Sequence, residues 1–264
     1  MREDPLLIGA LGGSGTRVFS RIARHAGLFM GSEVDGHEDA KPFSDLYRRH
    51  ARSFLEHGET FPPPERVRAD ALLDERLARH LADLPSPDHP WGVKNPRSML
   101  LLPYWHERFP RLRFLHVVRH GLDMAYSGND NQLRKYGDLV IGDGVDRTAT
   151  RRHDETPRRA LLYWAHANAA AADFGERRLG EHYCRVRLED LCDEPEATVR
   201  RLFEFLGAAR SQALADAVAE VGRPRTLGRW RAEPAQASAE LARVAPEALA
   251  RFGYDRDLDT LSAR

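Results

Sequence analysis

The chain is short of cysteine: Cys184 and Cys192 are the only two in 264 residues. Two thiols make no disulfide scaffold, and the reducing cytoplasm is the expected compartment. Net charge is absent as well. Forty Lys+Arg face forty Asp+Glu, which argues against nucleic acid or membrane as partners held by bulk electrostatics. No apolar run approaches the roughly 18 residues that a membrane helix requires. The head, MREDPLLIGALGG, is acidic on balance and meets glycines within a few residues, so it does not read as a signal peptide. Twelve histidines include neither an HExxH pair nor a Cys/His spacing, so no metal is expected. Repeats and low-complexity segments are missing too. What remains is 42% apolar and 30% charged, the composition of a soluble globular protein with one substantial core. No domain boundary interrupts it, and a single domain over 1–264 is expected.

Strand and helix signals alternate. Residues 5–11 and 113–118 read as buried strands, WGVKNP (91–96) and YCRVRL (183–188) as shorter ones. Helices are expected over 17–27, 42–57, 65–84, 98–108 with an interruption near Pro103, from Leu122, over 158–181, and from Pro195 to Leu206 with Gly207 as C-cap. The region after Gly207 reads as helical, split around GRPRTLGRWRAEP. Residues 136–157 hold three glycines, many charges and no periodicity; they are read as a long loop and a mobile lid. The alternation implies an α/β fold: a mostly parallel central sheet flanked by helices on both faces, three layers in all.

Two segments carry chemistry. GALGGSGTR (9–17) follows the first strand and opens a helix. Its glycines let the backbone approach a phosphate, and the helix N-terminus adds its dipole. Measured against the ATP-binding pattern G-x-x-x-x-G-K-[ST], Gly9 and Thr16 fit the ends, but Ser14 and Gly15 occupy the Gly-Lys positions. The lysine that would reach the terminal phosphates of ATP is missing. An ordinary strand-to-helix turn explains the same glycines. The second segment, FLHVVRHGLDMAYS, places Arg119 at the C-terminal end of the strongest strand, the edge where open α/β sheets bind ligands. A magnesium-dependent ATPase often carries an aspartate there. Asp123 and Ser127 share a face of the following helix.

With these residues in place, the sequence resembles the P-loop sulfotransferases that use 3′-phosphoadenosine 5′-phosphosulfate (PAPS). GGSGTR looks like the loop that holds the 5′-phosphosulfate. RHGLDMAYS looks like the 3′-phosphate clamp, YCRVRLEDLCDEPEATVRRLFEFLG like the strand-and-helix block beyond it, and TLGRWR like the late basic loop. WGVKNPR is similar to a segment of the protein-tyrosine branch. The resemblance implies a P-loop enzyme that transfers a sulfuryl group from PAPS to a hydroxyl or amine of a small-molecule or glycan acceptor, releasing adenosine 3′,5′-bisphosphate. It implies that Ser14, Gly15 and Thr16 hold the 5′ end, that Arg119 and Ser127 hold the 3′-phosphate, and that Arg229 lies near it. The family's basic residue before Ser-Gly-Thr is replaced by Gly13, and either Arg17 or Lys94 is expected to supply the missing charge.

The acceptor needs a base. The stretch GSEVDGHEDAKPF offers Glu33, His37, Glu38 and Asp39, with Glu33 placed first and Asp39 second. Each reads equally well as part of a solvated acidic loop. Trp230, between two arginines, either stacks on adenine or caps the core. The alternatives to a sulfotransferase are a P-loop small-molecule kinase and a non-catalytic nucleotide-binding protein.

Overall fold

Five buried residues, LLIGA, make β1 (Leu6–Ala10). It lies between β2 (Gly92–Lys94) and β3 (Arg113–Val118), and β4 (Tyr183–Arg187) pairs with the far side of β3. All three pairings are parallel, in the order β2-β1-β3-β4. The computed structural model describes residues 4–142, 156–208 and 212–255.

The strands are buried on both faces, which is why they read as near-continuous apolar runs. Leu7, Phe114 and Val118 enter one core, and Leu6, Ile8, Ala10, Leu115 and Val117 enter the other. The first core is covered by α2 (Ser44–Glu56), α3 (Pro63–His80), α4 (Leu102–Arg108), α5 (Gly121–Ala125), α6 (Asn131–Ile141) and α7 (Thr156–Phe174). The C-terminal α11 (Ala235–Ala242) and α12 (Pro246–Arg251) join it. The second is covered by α1 (Thr16–His25), α8 (Leu188–Asp193), α9 (Pro195–Leu206) and α10 (Gln212–Ala219). The three-layer reading holds. In α9 the apolar stripe of Val199, Leu202, Phe203 and Leu206 is buried, and Gly207, the expected C-cap, closes the helix at φ +69°. Full burial of such a side chain contributes about 1.5–3 kcal/mol.

Two expectations need correction. The chain over 136–141 is not loop but the C-terminal half of α6. Leu133, Tyr136 and Val140 all pack against the first core. This helical series is cut in two by a loop boundary at 136. The rest of the expected lid, residues 143–155, lies outside the described residues. The helix expected over 98–108 is a 3₁₀ segment, Pro96–Leu101, followed by α4. Pro103 sits in the first turn of α4, where its missing N–H costs nothing. Among the described residues no helix is long and apolar enough to cross a membrane.

Because every strand is parallel, all their C-terminal ends meet at one edge. The loop after β1, Lys94 at the end of β2, Arg119 after β3 and Leu188 after β4 converge there. The chain runs from β1 to β2 on one side and from β3 to β4 on the other, and such a reversal of strand order opens a crevice.

Candidate functional site

The crevice is a cleft of about 570 Å³, within the usual range for small-molecule sites. Its floor is the turn between β1 and α1. Gly13 has φ +98° and Gly15 φ +81°, left-handed conformations that favour glycine. A Cβ on Gly15 would also meet the Leu188 side chain at 2.8 Å. The turn spends some of its donors internally: Gly12 N–H donates to Gln132 Oε1 (3.1 Å) and Ser14 N–H to the Leu11 carbonyl (3.1 Å). The N–H groups of Gly13, Gly15 and Thr16 make no hydrogen bond to the described residues. All three residues line the cleft. Unpaired N–H groups at a helix start, in a turn a chain can closely approach, form an anion cradle.

One wall is Lys94. Its side chain is 2% exposed, and burial pushes the ammonium pKa down, with Asp39 opposing. Nζ donates to the His37 carbonyl (2.7 Å) and to Asp39 Oδ1. Both acceptors come from a tight turn closed by the pairing of Val34 with Ala40. Asp35 Oδ1 accepts from the N–H groups of His37 (2.7 Å) and Asp39 (3.0 Å) inside that turn. Arg17, in the first turn of α1, reaches His37 Nδ1 at 3.0 Å. A guanidinium can only donate, so Nδ1 accepts and the ring proton sits on Nε2. Arg17, His37, Asp39 and Lys94 therefore form one connected group along the cleft.

The opposite wall is Arg119, 3% exposed. Nε and Nη2 donate to Asp123 Oδ2 (3.1 and 2.8 Å), and Nη1 donates to the Gly13 carbonyl (3.1 Å) and Thr226 Oγ1 (3.3 Å). Nη2 also donates to the Thr226 carbonyl. Asp123 is fully buried. It accepts in addition from the N–H groups of Gly228 (2.7 Å) and Trp230 (3.2 Å). The late segment GRPRTLG is thus stapled over Arg119, and Gly222, Pro224 and Thr226 border the cleft.

The structure sorts the expected residues. Gly13, Gly15, Thr16, Arg17, Asp39, Lys94 and Arg119 are brought together. Glu33, the first choice of base, is not among the lining residues. Arg79 captures it through two hydrogen bonds (2.6 and 2.5 Å) and holds its carboxyl below the usual range. Ser14 is buried, and its hydroxyl donates to Met124 Sδ at 3.9 Å. Ser127 does not share the cleft with Arg119. It lines a separate cavity of about 30 Å³ with Tyr163 and Gln132, and Gly12 and Asn129 border both. Arg229 is not on the cleft wall. Its Nε donates to the Thr226 carbonyl (3.2 Å), and burial and the neighbouring Arg119 charge push its pKa down. Trp230 is a core residue, 3% exposed, with its ring 5.2 Å from that of His120. Sequence reading missed Asp35 and Thr226. The Asp-Gly pair at 35–36 is a turn signal that would have pointed to the first; Thr226 carries no comparable signal.

A family model described as "Sulfotransferase family" matches residues 5–212. No curated protein sequence matches. Among solved structures the fold is similar to STF9, a sulfotransferase from Mycobacterium avium (16% identity, 96% of this chain and 78% of that one, TM-score 0.56). It is similar too to the sulfotransferase domain of the curacin biosynthetic pathway (14%, 96% and 98%, TM-score 0.55). A third is the sulfotransferase domain of the Synechococcus PCC 7002 olefin synthase (18%, 92% and 95%, TM-score 0.50). At these identities the likeness is one of fold.

Proposed function

The chain belongs to the sulfotransferase family, and from that premise we propose that it transfers a sulfuryl group from PAPS to a hydroxyl or amine of an acceptor. The observation that carries this reading is the pairing of an anion cradle with two buried cations in one cleft. The free N–H groups of Gly13, Gly15 and Thr16 lie between Lys94 and Arg119. When bound, PAPS supplies the sulfuryl group and leaves as adenosine 3′,5′-bisphosphate.

The residues present fit such a ligand. The cradle takes the 5′ end, and Lys94 keeps one N–H beyond the two spent on His37 and Asp39. That donor stabilises negative charge as it develops. Arg17 adds charge at the helix start, so Lys94 and Arg17 together stand in for the basic residue that Gly13 displaces. Asp39 and Glu220 both line the cleft; Glu220 is engaged by Arg21 and His25, and Asp39, beside Lys94, takes the acceptor's proton. Arg119 receives the 3′-phosphate. Its five hydrogen bonds to Asp123, Gly13 and Thr226 mean that an anion takes over the Thr226 contacts. Ser127 reaches the same phosphate only if the wall shared by the two cavities shifts.

The test is thermal unfolding with adenosine 3′,5′-bisphosphate or with Mg-ATP. A ligand at 100 times its Kd adds about 2.7 kcal/mol of stability. The bisphosphate is expected to raise Tm at concentrations where Mg-ATP does not, and labelled PAPS is then expected to pass its sulfate to an acceptor. Preference for Mg-ATP would overturn the reading in favour of a kinase. Bisphosphate binding without transfer would leave a nucleotide-binding protein.

A further inference from the structure

Lys94 is held by two oxygens, the His37 carbonyl and Asp39 Oδ1, and neither belongs to a regular element. Their positions depend on the turn between Val34 and Ala40. The base of that turn is secured by backbone bonds alone: Asp35 N–H to the Asp39 carbonyl (3.1 Å), Glu38 N–H to the Asp35 carbonyl (3.0 Å), and Ala40 N–H to the Lys94 carbonyl (2.9 Å). The tip is different. Glu38 stands at φ +65°, a left-handed conformation that is unfavourable for a residue with a side chain. On either side of it, His37 and Asp39 give their N–H groups to one atom, Asp35 Oδ1.

We propose that Asp35, which is not among the cleft-lining residues, is a positioning residue: its carboxylate gathers the N–H groups of His37 and Asp39 and so sets the two oxygens that aim Lys94. The proposal rests on the sulfotransferase reading for its kinetic consequence, though not for its geometry. The argument is one of constraint. A lysine side chain has four rotatable bonds and three equivalent donors, so it imposes no direction of its own. With the side chain buried, an ammonium without acceptors is costly, and it follows the oxygens. Two of the three N–H bonds are spent in the turn, and the direction of the third is thereby decided. If the tip relaxes, His37 and Asp39 move, and Lys94 moves with them. Arg17 is coupled to the same tip through His37 Nδ1, so both cations offered in place of a basic residue at Gly13 depend on Asp35.

Two substitutions separate positioning from general stability. Asp35→Ala removes the shared acceptor, while the backbone bonds at the base keep the turn closed. Asp35→Asn keeps an oxygen able to accept both N–H bonds. In the alanine variant, hydrogen exchange at the His37 and Asp39 amides is expected to speed up roughly tenfold or more, the factor for losing a charge-accepted hydrogen bond. Turnover is expected to fall by about 10- to 100-fold, the scale of a misplaced catalytic group. The Kd for adenosine 3′,5′-bisphosphate, which has no sulfuryl group, should stay within about twofold. The asparagine variant should recover most of the turnover. Wild-type turnover in Asp35→Ala overturns the proposal, as does unchanged exchange at the two amides, or an asparagine variant as slow as alanine. If the wild type itself transfers no sulfate, the functional reading falls while this proposal is still decided. A shifted Lys94 ammonium resonance in Asp35→Ala supports it, and an unmoved one overturns it.

Discussion

At the scale of the residue, Lys94 and Arg119 are both buried cations, yet they are built for different work. Lys94 keeps a donor for the cleft; Arg119 has none to spare among its five hydrogen bonds. Lys94→Ala is therefore expected to act on turnover. Removing one preorganised donor to developing charge costs about 10²–10³ in kcat. The Kd of adenosine 3′,5′-bisphosphate should change far less, because that ligand has no sulfuryl group and the extra charge on the bridging oxygen develops only in the transition state. Single-turnover rates beside calorimetric titration would show this, and equal losses in both would move the role to Arg17. Arg119→Ala is a poorer probe than it looks from sequence. It removes the proposed phosphate ligand and also strips the buried Asp123 carboxylate of its cation.

At the scale of the element, Asp123 joins α5 to the late segment around Thr226. One carboxylate accepts from the Arg119 side chain and from the N–H groups of Gly228 and Trp230. Breaking a buried charge pair by removing one partner costs about 3–5 kcal/mol. Asp123→Ala should lose stability on that scale in urea denaturation, and Asp123→Asn, which keeps the shape and one oxygen, should lose less. A loss below about 1 kcal/mol in the alanine variant would mean that this staple holds little. Element recognition from sequence worked where the signal is local. The strand 113–118 was bounded correctly because its apolar run ends at Arg119, and α9 because its apolar stripe ends at Gly207. It failed at α6, where Leu133 and Tyr136 fell on opposite sides of a boundary drawn at a run of charges and glycines.

At the scale of the whole molecule, two histidines tie the layers together. His116, on β3, lies between the Tyr183 hydroxyl and Asn168 Oδ1, both at 2.9 Å. His80, at the end of α3, meets the Gly92 carbonyl at 3.0 Å. Burial pushes both down from 6.5 to about 4. The folded state thus refuses protons that the unfolded chain accepts. Their contribution is complete above pH 6.5 and is lost as pH falls from there toward 4. Each ring contributes a slope of up to about 1.4 kcal/mol per pH unit. Between pH 7 and 5 the pair should remove about 3–4 kcal/mol of unfolding free energy, measurable by urea denaturation. His116→Gln should show a clearly shallower fall. A variant with the wild-type slope would mean that His116 titrates normally in the fold.

Several features were determined by residues next to one another. The apolar strand running into Gly-Gly-Ser-Gly-Thr, the arginine closing the strongest strand and the strand–helix alternation are short-range patterns, each encoding backbone conformation or burial along a few residues. From them the parallel three-layer fold and half of an anion site could be read. Which acid of the 33–39 stretch reaches the cleft could not. Glu33 and Asp39 are both carboxylates and near in sequence. Their fates are set by partners 46 and 55 positions away, Arg79 taking one and Lys94 the other. The surroundings of Ser127 and Trp230 were set in the same way, the one in a small cavity with Gln132 and Tyr163, the other against the His120 ring. Periodicity records which side of an element is apolar. It does not record what the folded chain places against the polar side, because that depends on contacts formed only when distant segments pack.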